Sequence, residues 1–371
     1  MKINKFLQLI FKKLVQGIFK LFYGKISILS DSKILYKKHY IEFIRLDNNT
    51  KLSVKKNVHQ ISNARIYTDT VEHVAIIKNN LIIPKISYQQ VRGELKGTEF
   101  NKVLTGGTPR IIKKFDGRVL SLVQGASAHN YFHFLFDILA KLILCEEKIP
   151  LGKIDYFYIH KKIEWQRKIF ELFNINNNQL ISSEKYHHII SDEIIAVDPP
   201  WYEKGFVQNE IANLPEWIII KLRERLIKFS KKFDFNNKIF IDRSDSINNH
   251  CKLLNNNEII EHLGKKGFSS YQVSKLDFLE QIYLFNNAKI IIGPHGAAFS
   301  NIIFSKPKTE IIEIIPNNHQ SMKCHRISDV LNLNYTRINK PKIITNSNHL
   351  VGDMEISKEE LDNTLKKLEK V

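Results

Sequence analysis

The chain has 371 residues, and its hydrophobic content of 43% is enough for two domains that each bury a core. Its formal net charge of +18 indicates an anionic partner, for which nucleic acid, an anionic membrane surface and an acidic glycan are the candidate classes. Three widely spaced cysteines, Cys145, Cys251 and Cys324, argue against a disulfide framework or a zinc site.

Residues 1–25 are predicted to form a basic amphipathic helix. Apolar residues recur at three- and four-residue intervals from Ile3 to Phe22, and lysines and glutamines fill the other face. No stretch of about 18 residues is free of charge, and lysines interrupt any signal-peptide core, so we expect neither a membrane span nor a signal peptide. The pattern favours binding to a membrane surface, and packing on the protein's own core is the alternative.

Residues 26–213 are predicted to form an α/β domain that opens with a β-rich subregion. Short apolar runs separated by turn signals indicate strands up to about residue 110. Strands and helices then alternate, which is typical of a parallel sheet. The main predicted elements are strands at Val119–Val123, Asp155–His160 and Ile189–Val197, and helices at Asn130–Glu147 and Glu164–Phe173.

A second strand-helix series occupies residues 238–345, after a connecting helix and linker at 214–237. Residues 346–371 are predicted to be a C-terminal helical tail. Two α/β halves joined in this way predict two Rossmann-like domains that face one another across a cleft.

The segment Ile290–Phe304 predicts an anion site. It has the pattern of a buried strand, a tight Gly-Pro-His-Gly loop and the first turns of a helix. A helix start at the carboxyl end of a parallel strand is where a phosphate or diphosphate binds. Gly296 allows a close backbone approach, and His295 can donate to a phosphate oxygen or transfer a proton. Taken alone, such a short glycine motif is more often an ordinary turn.

Two further side chains are candidates for the same site. Arg243 directly follows the predicted strand Ile239–Asp242, so it is expected at the carboxyl edge of the sheet, where a guanidinium suits a phosphate. A surface ion pair with a neighbouring aspartate is the alternative. Glu313 lies inside an apolar strand and is predicted to bind ribose hydroxyls, unless it occupies a half-exposed edge. Lys252 is a weaker phosphate candidate.

His133 and Asp137 are four residues apart on one predicted helix and therefore share a face. Asn130 lies one turn earlier, at the predicted helix start. A histidine and a carboxylate so placed can deprotonate an acceptor hydroxyl, and either of them could be the base. The alternative is a histidine and an aspartate paired only for packing.

Three ordered blocks in the chain resemble the signature of family-61 glycosyltransferases. The first is Asn130-Tyr-Phe-His-Phe-Leu-Phe-Asp137. The second is Ile239-Phe-Ile-Asp-Arg243, followed by Lys252, Asn255 and Gly267-Phe268. The third is Gly293-Pro-His-Gly-Ala-Ala-Phe-Ser-Asn301, followed by Glu310-Ile-Ile-Glu-Ile314. The resemblance covers roughly residues 115–345. The chain departs from the pattern at Phe134, Lys252 and Ala298, where tryptophan, arginine and glycine are usual.

The resemblance implies a GT-B-like fold and an inverting glycosyltransferase of bacterial capsule or other surface-polysaccharide synthesis. The donor would be a nucleotide sugar, expected to be UDP-linked, and the acceptor a glycan or lipid-linked glycan. Donor binding is predicted in residues 238–345, and catalysis and acceptor binding in residues 26–213. The donor set is Arg243, Lys252, His295, Gly296, Ala297, Asn301 and Glu313, with a structural role in bracing the loop as the alternative for Asn301. The catalytic pair is His133 and Asp137, with Asn130 on the acceptor side.

The predicted reaction needs no cofactor and no metal, because no convincing Asp-x-Asp loop is present. His319 and His325 lack metal-ligand spacing and are assigned to loops.

We expect a cytoplasmic protein bound peripherally to the inner face of the cytoplasmic membrane. The alternative is a nucleic-acid-binding protein or a membrane scaffold without activity, although no nucleic-acid-binding motif is recognisable and no nucleic-acid partner is expected.

Overall fold

The structure is a computed structural model that describes residues 2–30, 36–47, 50–68, 73–91, 93–124, 129–245, 251–317, 319, 321–338, 342–343 and 352–368. The chain divides into two compact units, Met1–Glu210 and Ile211–Val371, which are described separately as unit 1 and unit 2. The GT-B arrangement of the two units stays a prediction.

Unit 1 begins with helix α1, Lys2–Tyr23. The carboxyl end of α1 is attached to the rest of unit 1. The ammonium of Lys20 donates to the carbonyl of Thr105 at 2.6 Å, and the Tyr23 hydroxyl accepts from the Ile112 N–H at 3.3 Å. The Tyr23 ring also packs edge-on to His188 at 5.3 Å. Among the described residues, no helix is long and apolar enough to cross a membrane.

One mixed sheet forms most of unit 1. Its neighbouring strands follow the order β10-β9-β8-β11-β3-β4-β6-β7-β12, with β1, β2 and β5 attached at the side. The strands are β1 Ser27–Ile28, β2 Lys37–Asp47, β3 Thr50–Tyr67, β4 His73–Lys78, β5 Leu81–Ile82, β6 Tyr88–Val91, β7 Glu94–Lys96, β8 Lys113–Ser121, β9 Tyr156–Ile159, β10 Leu180–Ser182, β11 His188–Val197 and β12 Gly205–Phe206.

Only part of this sheet is parallel. The four strands β8 to β11 pair in parallel, as the alternation of strands and helices predicts. From β3 onwards the sheet continues with antiparallel pairs. Sequence analysis predicted a β-rich subregion here but not the full lengths of β2 and β3, because charged and amide residues interrupt their apolar runs.

The predicted helix Asn130–Glu147 is present in three pieces, α3 Tyr131–His133, a π-helical segment Phe134–Leu139 and α4 Ala140–Glu146. Asn130 caps it, since its side-chain oxygen accepts from the N–H groups of Phe132 and His133. Widened π turns are frequent at functional sites.

The remaining helices described in unit 1 are α2 Val103–Gly106, α5 Glu164–Glu171 and α6 Val207–Glu210, with 3₁₀ turns at Thr98–Phe100, Leu151–Lys153 and Asn177–Gln179.

Unit 2 contains a five-stranded sheet with the order β14-β13-β15-β16-β17, and every pair in it is parallel. The strands are β13 Lys238–Ile241, β14 Ser269–Tyr271, β15 Ile290–Pro294, β16 Glu310–Ile314 and β17 Asn334–Ile338. The chain moves from β13 outward to β14 and then returns to β15 on the other side of β13. This reversal is a topological switch point, where open α/β sheets bind ligands outside the carboxyl ends of their strands.

Five α-helices accompany this sheet: α7 Glu216–Leu226, α8 Asn256–Gly264, α9 Phe278–Asn287, α10 Lys323–Leu331 and α11 Lys358–Leu368. A short pair of strands, β18 Lys342–Ile343 and β19 Met354–Glu355, precedes α11. Met354, Ile356 and Leu361 are buried in the unit 2 core beside Phe240 and Ile312. The described part of the predicted tail therefore contributes to the core of unit 2.

The segment after the His295 loop, Ala297–Phe304, is a 3₁₀ helix, although an α-helix is predicted there. It packs against α7, α9 and α10, and its residues from Phe299 to Phe304 are all buried. The narrower 3₁₀ helix fits between these neighbours, but its hydrogen bonds are less well aligned than those of an α-helix. The other 3₁₀ turns of unit 2 are Ile211–Asn213, Ile227–Phe229 and Val273–Lys275.

Candidate active-site residues

The His295 loop lies at the carboxyl end of β15, at the switch point of the unit 2 sheet. The backbone N–H of His295 donates to the carbonyl of Ile314 at 2.8 Å, which fixes the loop to the end of the neighbouring strand β16. The imidazole Nδ1 lies 2.5 Å from Oε1 of Glu313. The loop and the carboxylate therefore form one hydrogen-bonded group.

Glu313 is 1% exposed, and both of its carboxylate oxygens accept hydrogen bonds from the protein. Oε1 accepts from Nδ1 of His295 and, at 3.1 Å, from the thiol of Cys324. Oε2 accepts from the Tyr335 hydroxyl at 2.6 Å. Burial alone would raise the pKa of Glu313, but the neighbouring His295, Lys323 and Tyr335 lower it to about 2. The carboxylate is thus ionised and orients His295, and the predicted contact with ribose does not fit this geometry.

Arg243 and Lys323 bring positive charge to the same loop. The Arg243 guanidinium donates to the carbonyl of His295, and the Lys323 ammonium donates to the carbonyl of Gly296 at 2.6 Å. A Cβ atom at Gly296 would overlap the guanidinium of Arg243, so a larger residue here would require the Arg243 side chain to move. Burial lowers the pKa of Arg243 and of Lys323, as expected for cations taken out of water.

Sequence analysis found Arg243 but missed Lys323 and His319. The His319 ring lies 4.3 Å from the His295 ring, and burial lowers the pKa of His319 to about 3, with the adjacent His295 adding to the effect. Lys323 begins α10, which comes from a later part of the chain. Neither residue belongs to a local motif, so only the tertiary structure reveals that they are neighbours of His295.

The other predicted donor residues make different contacts. Asn301 is fully buried and donates to the Gln281 side chain at 3.0 Å, so it braces the 3₁₀ helix against α9. Lys252 is exposed, and its carbonyl accepts from the Met354 N–H at 2.8 Å. Ala297 is partly exposed at the start of the 3₁₀ helix.

A second buried histidine–carboxylate pair lies in unit 1. Nδ1 of His133 is 2.8 Å from Oδ2 of Asp137, and Trp201 donates through its indole N–H to Oδ1 of Asp137 at 2.6 Å. Asp137 is fully buried, whereas His133 retains a small exposed fraction. The structure therefore brings the two predicted catalytic residues together and adds Trp201, which sequence analysis missed. The predicted acceptor-side residue Asn130 is exposed, and its side-chain oxygen serves the helix cap.

Lys141 adds a buried ammonium to this group. It lies four residues after Asp137, and its Nζ donates to the Tyr88 hydroxyl at 3.3 Å. Burial lowers the pKa of Lys141 to about 7, although the negative charge of Asp137 opposes this effect. The sequence contains a signal for this contact, because Lys141 lies four residues after Asp137 in an otherwise apolar helix and therefore shares its face.

We expect Glu313→Gln to destabilise the protein by about 1–3 kcal/mol at pH 7, because buried donors lose their carboxylate. The pKa of Glu313 is depressed from 4.5 to about 2, so its stabilising contribution is complete above 4.5 and is lost as the pH falls towards 2. Urea unfolding at a series of pH values should show the stability difference between the two proteins shrinking below about pH 4.5.

The matched control is Glu310→Gln, at a half-buried position three residues earlier on β16. Its carboxylate accepts from the Asn334 side chain and lies outside the His295 group. A Glu313→Gln protein as stable as wild type at pH 7, or a stability difference that does not change with pH, would contradict the assigned role of the carboxylate.

Comparison with known proteins gives one family. The model of the family Glycosyltransferase 61 matches residues 131–312. This range contains His133, Asp137, Arg243 and His295, and it ends one residue before Glu313. No curated protein matches the chain significantly. Through residues 131–312, the chain belongs to glycosyltransferase family 61.

Proposed function

We infer from the match to the family Glycosyltransferase 61 that the chain has glycosyltransferase activity. We propose that this chain transfers a sugar from a nucleoside-diphosphate sugar to a glycan or lipid-linked acceptor, with inversion at the anomeric carbon. The observation that carries the proposal is the group at the switch point of the unit 2 sheet. There, Arg243 and Lys323 surround a loop whose histidine is oriented by the buried carboxylate of Glu313.

The donor diphosphate is proposed to bind at Arg243 and Lys323. A leaving diphosphate develops negative charge in the transition state, and fixed cations in a site with little water stabilise it strongly. The planar guanidinium of Arg243 suits two phosphate oxygens at once, and the ammonium of Lys323 acts as a point charge. With these two cations, the reaction needs no divalent metal, and UDP is the proposed carrier.

His295 is proposed to bind a hydroxyl of the donor. The ionised Glu313 cannot donate, so the proton of their hydrogen bond lies on Nδ1 of His295, and Nε2 is left as an acceptor. Burial lowers the pKa of His295; Glu313 opposes this effect, whereas Lys323 and Arg243 add to it. A neutral imidazole between two cations is a poor base but a suitable acceptor for a sugar or ribose hydroxyl.

His133 is proposed as the base that deprotonates the acceptor hydroxyl. Asp137 is fully buried, and its two oxygens accept from His133 and Trp201, so the carboxylate cannot contact an acceptor. It can hold the imidazole with Nδ1 protonated and stabilise the imidazolium that forms. The proposal thus takes His133 as the base, a choice that the sequence leaves open between His133 and Asp137.

Binding of nucleotides tests the donor site. We expect one of UDP, GDP, CDP and ADP to raise the melting temperature, with or without EDTA, and CMP to have a smaller effect because it lacks the second phosphate. A ligand at about 100 times its dissociation constant stabilises by roughly 2.7 kcal/mol. Arg243→Ala should abolish the shift, because it removes the bidentate cation.

Arg167→Ala is the matched control, since Arg167 is bonded to Glu164 and Glu171 on the surface helix α5 of unit 1. The wild-type protein should consume sugars linked to the same nucleoside diphosphate that raises its melting temperature. No stabilisation by any of the nucleotides and no consumption of any nucleotide sugar would contradict the proposal.

We also propose that α1 binds an anionic membrane surface on the cytoplasmic side, where a bacterial surface-polysaccharide acceptor would be lipid-linked. Large apolar side chains on α1 are exposed, among them Phe11 at 69% and Leu21 at 88%. Lys5, Lys12 and Lys13 on the same helix are also exposed and carry charge that complements anionic lipid. An amphipathic helix with this composition binds in the interfacial plane of a bilayer.

We expect the protein to sediment with vesicles that contain phosphatidylglycerol, and less with vesicles of phosphatidylcholine alone. Phe11→Glu should strongly weaken the binding, because it places a charge among the apolar side chains of α1. Gln8→Glu is the control on the polar face, and it should retain most of the binding. Equal sedimentation of wild type and Phe11→Glu would refute membrane binding through α1.

A further inference from the structure

Trp201 contacts the proposed base pair through its indole N–H. The 2.6 Å hydrogen bond to Oδ1 of Asp137 complements the 2.8 Å contact between Oδ2 and His133. The indole is also fixed by ring contacts, edge-on to Phe132 at 6.0 Å and tilted against Tyr202 at 4.5 Å. Every oxygen of this buried carboxylate therefore has a donor, and each donor comes from a different segment of unit 1.

The segment that carries Trp201 is anchored three residues earlier, at Asp198. One carboxylate oxygen of Asp198 accepts from the backbone and side-chain N–H groups of Asn57, at 3.0 and 2.6 Å. The other lies 2.7 Å from Nε2 of the buried His59. Pro199 and Pro200 join Asp198 to Trp201, and proline restricts the backbone angle φ. The position of the indole is thus set by the β3 strand and by a stiff connection.

We propose that Trp201 is a positioning residue that acts through Asp137 on His133. Its N–H holds the Asp137 carboxylate in place, so that the carboxylate accepts from Nδ1 of His133 and Nε2 is left for a proton donor. The link to sugar transfer rests on the proposed function, but the link between Trp201 and the protonation of His133 does not.

The direction of the expected effect follows from the geometry. With the indole N–H in place, both oxygens of Asp137 have a donor, and Oδ2 lies at Nδ1 of His133. Loss of the indole N–H leaves the carboxylate less firmly held, so the preference of His133 for a proton on Nδ1 should weaken. Among the described residues, Lys141, Tyr88 and Tyr202 also face Asp137, and the variants leave them unchanged.

The experiment is NMR of the His133 imidazole nitrogens in the full-length protein, assigned among the fourteen histidines by their loss in His133→Gln. Trp201→Phe keeps an aromatic ring but removes the N–H, and the fraction of His133 with its proton on Nδ1, read from the nitrogen chemical shifts, should fall. Trp165→Phe is the matched control, since Trp165 packs edge-on to Phe134 on the same helix. It should leave that fraction unchanged.

A kinetic effect should accompany the change in His133. In Trp201→Phe, kcat should fall about 10- to 100-fold while KM for the nucleotide sugar stays the same, because the proposed donor contacts lie in unit 2. An unchanged Nδ1 fraction of His133 in a folded Trp201→Phe protein would overturn the proposal. If that variant does not fold, the indole N–H resonance of Trp201 is compared between wild type and His133→Gln, and the same position in both would overturn the proposal equally.

These readouts separate two kinds of failure. The NMR measurements need no substrate, so an unchanged His133 argues against the role of Trp201 alone. Absence of sugar transfer by the wild-type protein with every nucleotide sugar would argue against the proposed function and would leave the coupling between Trp201 and His133 standing.

Discussion

The buried carboxylate of Glu313 is the constraint on which the carboxyl edge of the unit 2 sheet depends. An ionised carboxylate with almost no exposure is costly unless each oxygen receives hydrogen bonds. Its donors come from the loop after β15, from Tyr335 on β17 and from Cys324 on α10. Satisfying one charge therefore fixes three segments around the carboxyl edge of the sheet. The same arrangement brings Lys323, the residue before Cys324, to the carbonyl of Gly296.

The two histidine–carboxylate pairs have the same geometry but different electrostatic surroundings. In each pair Nδ1 of the imidazole meets a buried carboxylate, so Nε2 is the nitrogen available to a substrate. His295 lies beside Arg243 and Lys323, which oppose a further positive charge on its ring. The His133–Asp137 pair lies near Lys141, and burial lowers the pKa of Lys141 to about 7. These surroundings favour the proposal that His133 takes the acceptor proton and that the group around His295 stabilises an anionic leaving group.

The features that can be predicted from the sequence are those that depend on neighbouring residues in the chain. The end of an apolar run predicts the end of a strand, which located Arg243 and His295, and the four-residue spacing predicted that His133 and Asp137 meet. Lys323, His319 and Trp201 escaped prediction because each reaches its partner through tertiary packing. Glu313 was predicted to face ribose, because the sequence does not show that His295, Tyr335 and Cys324 already occupy its oxygens. The 3₁₀ form of Ala297–Phe304 also depends on neighbouring helices that enclose it.

The central claim is a division of labour, in which unit 2 binds the donor diphosphate and His133 in unit 1 removes the acceptor proton. It is tested most directly by measuring nucleoside-diphosphate affinity and sugar transfer on the same preparation of His133→Gln. The account predicts wild-type affinity together with transfer reduced by about 10²- to 10⁴-fold, the range expected for loss of a general base. Transfer at the wild-type rate, or loss of nucleotide affinity along with transfer, would contradict it.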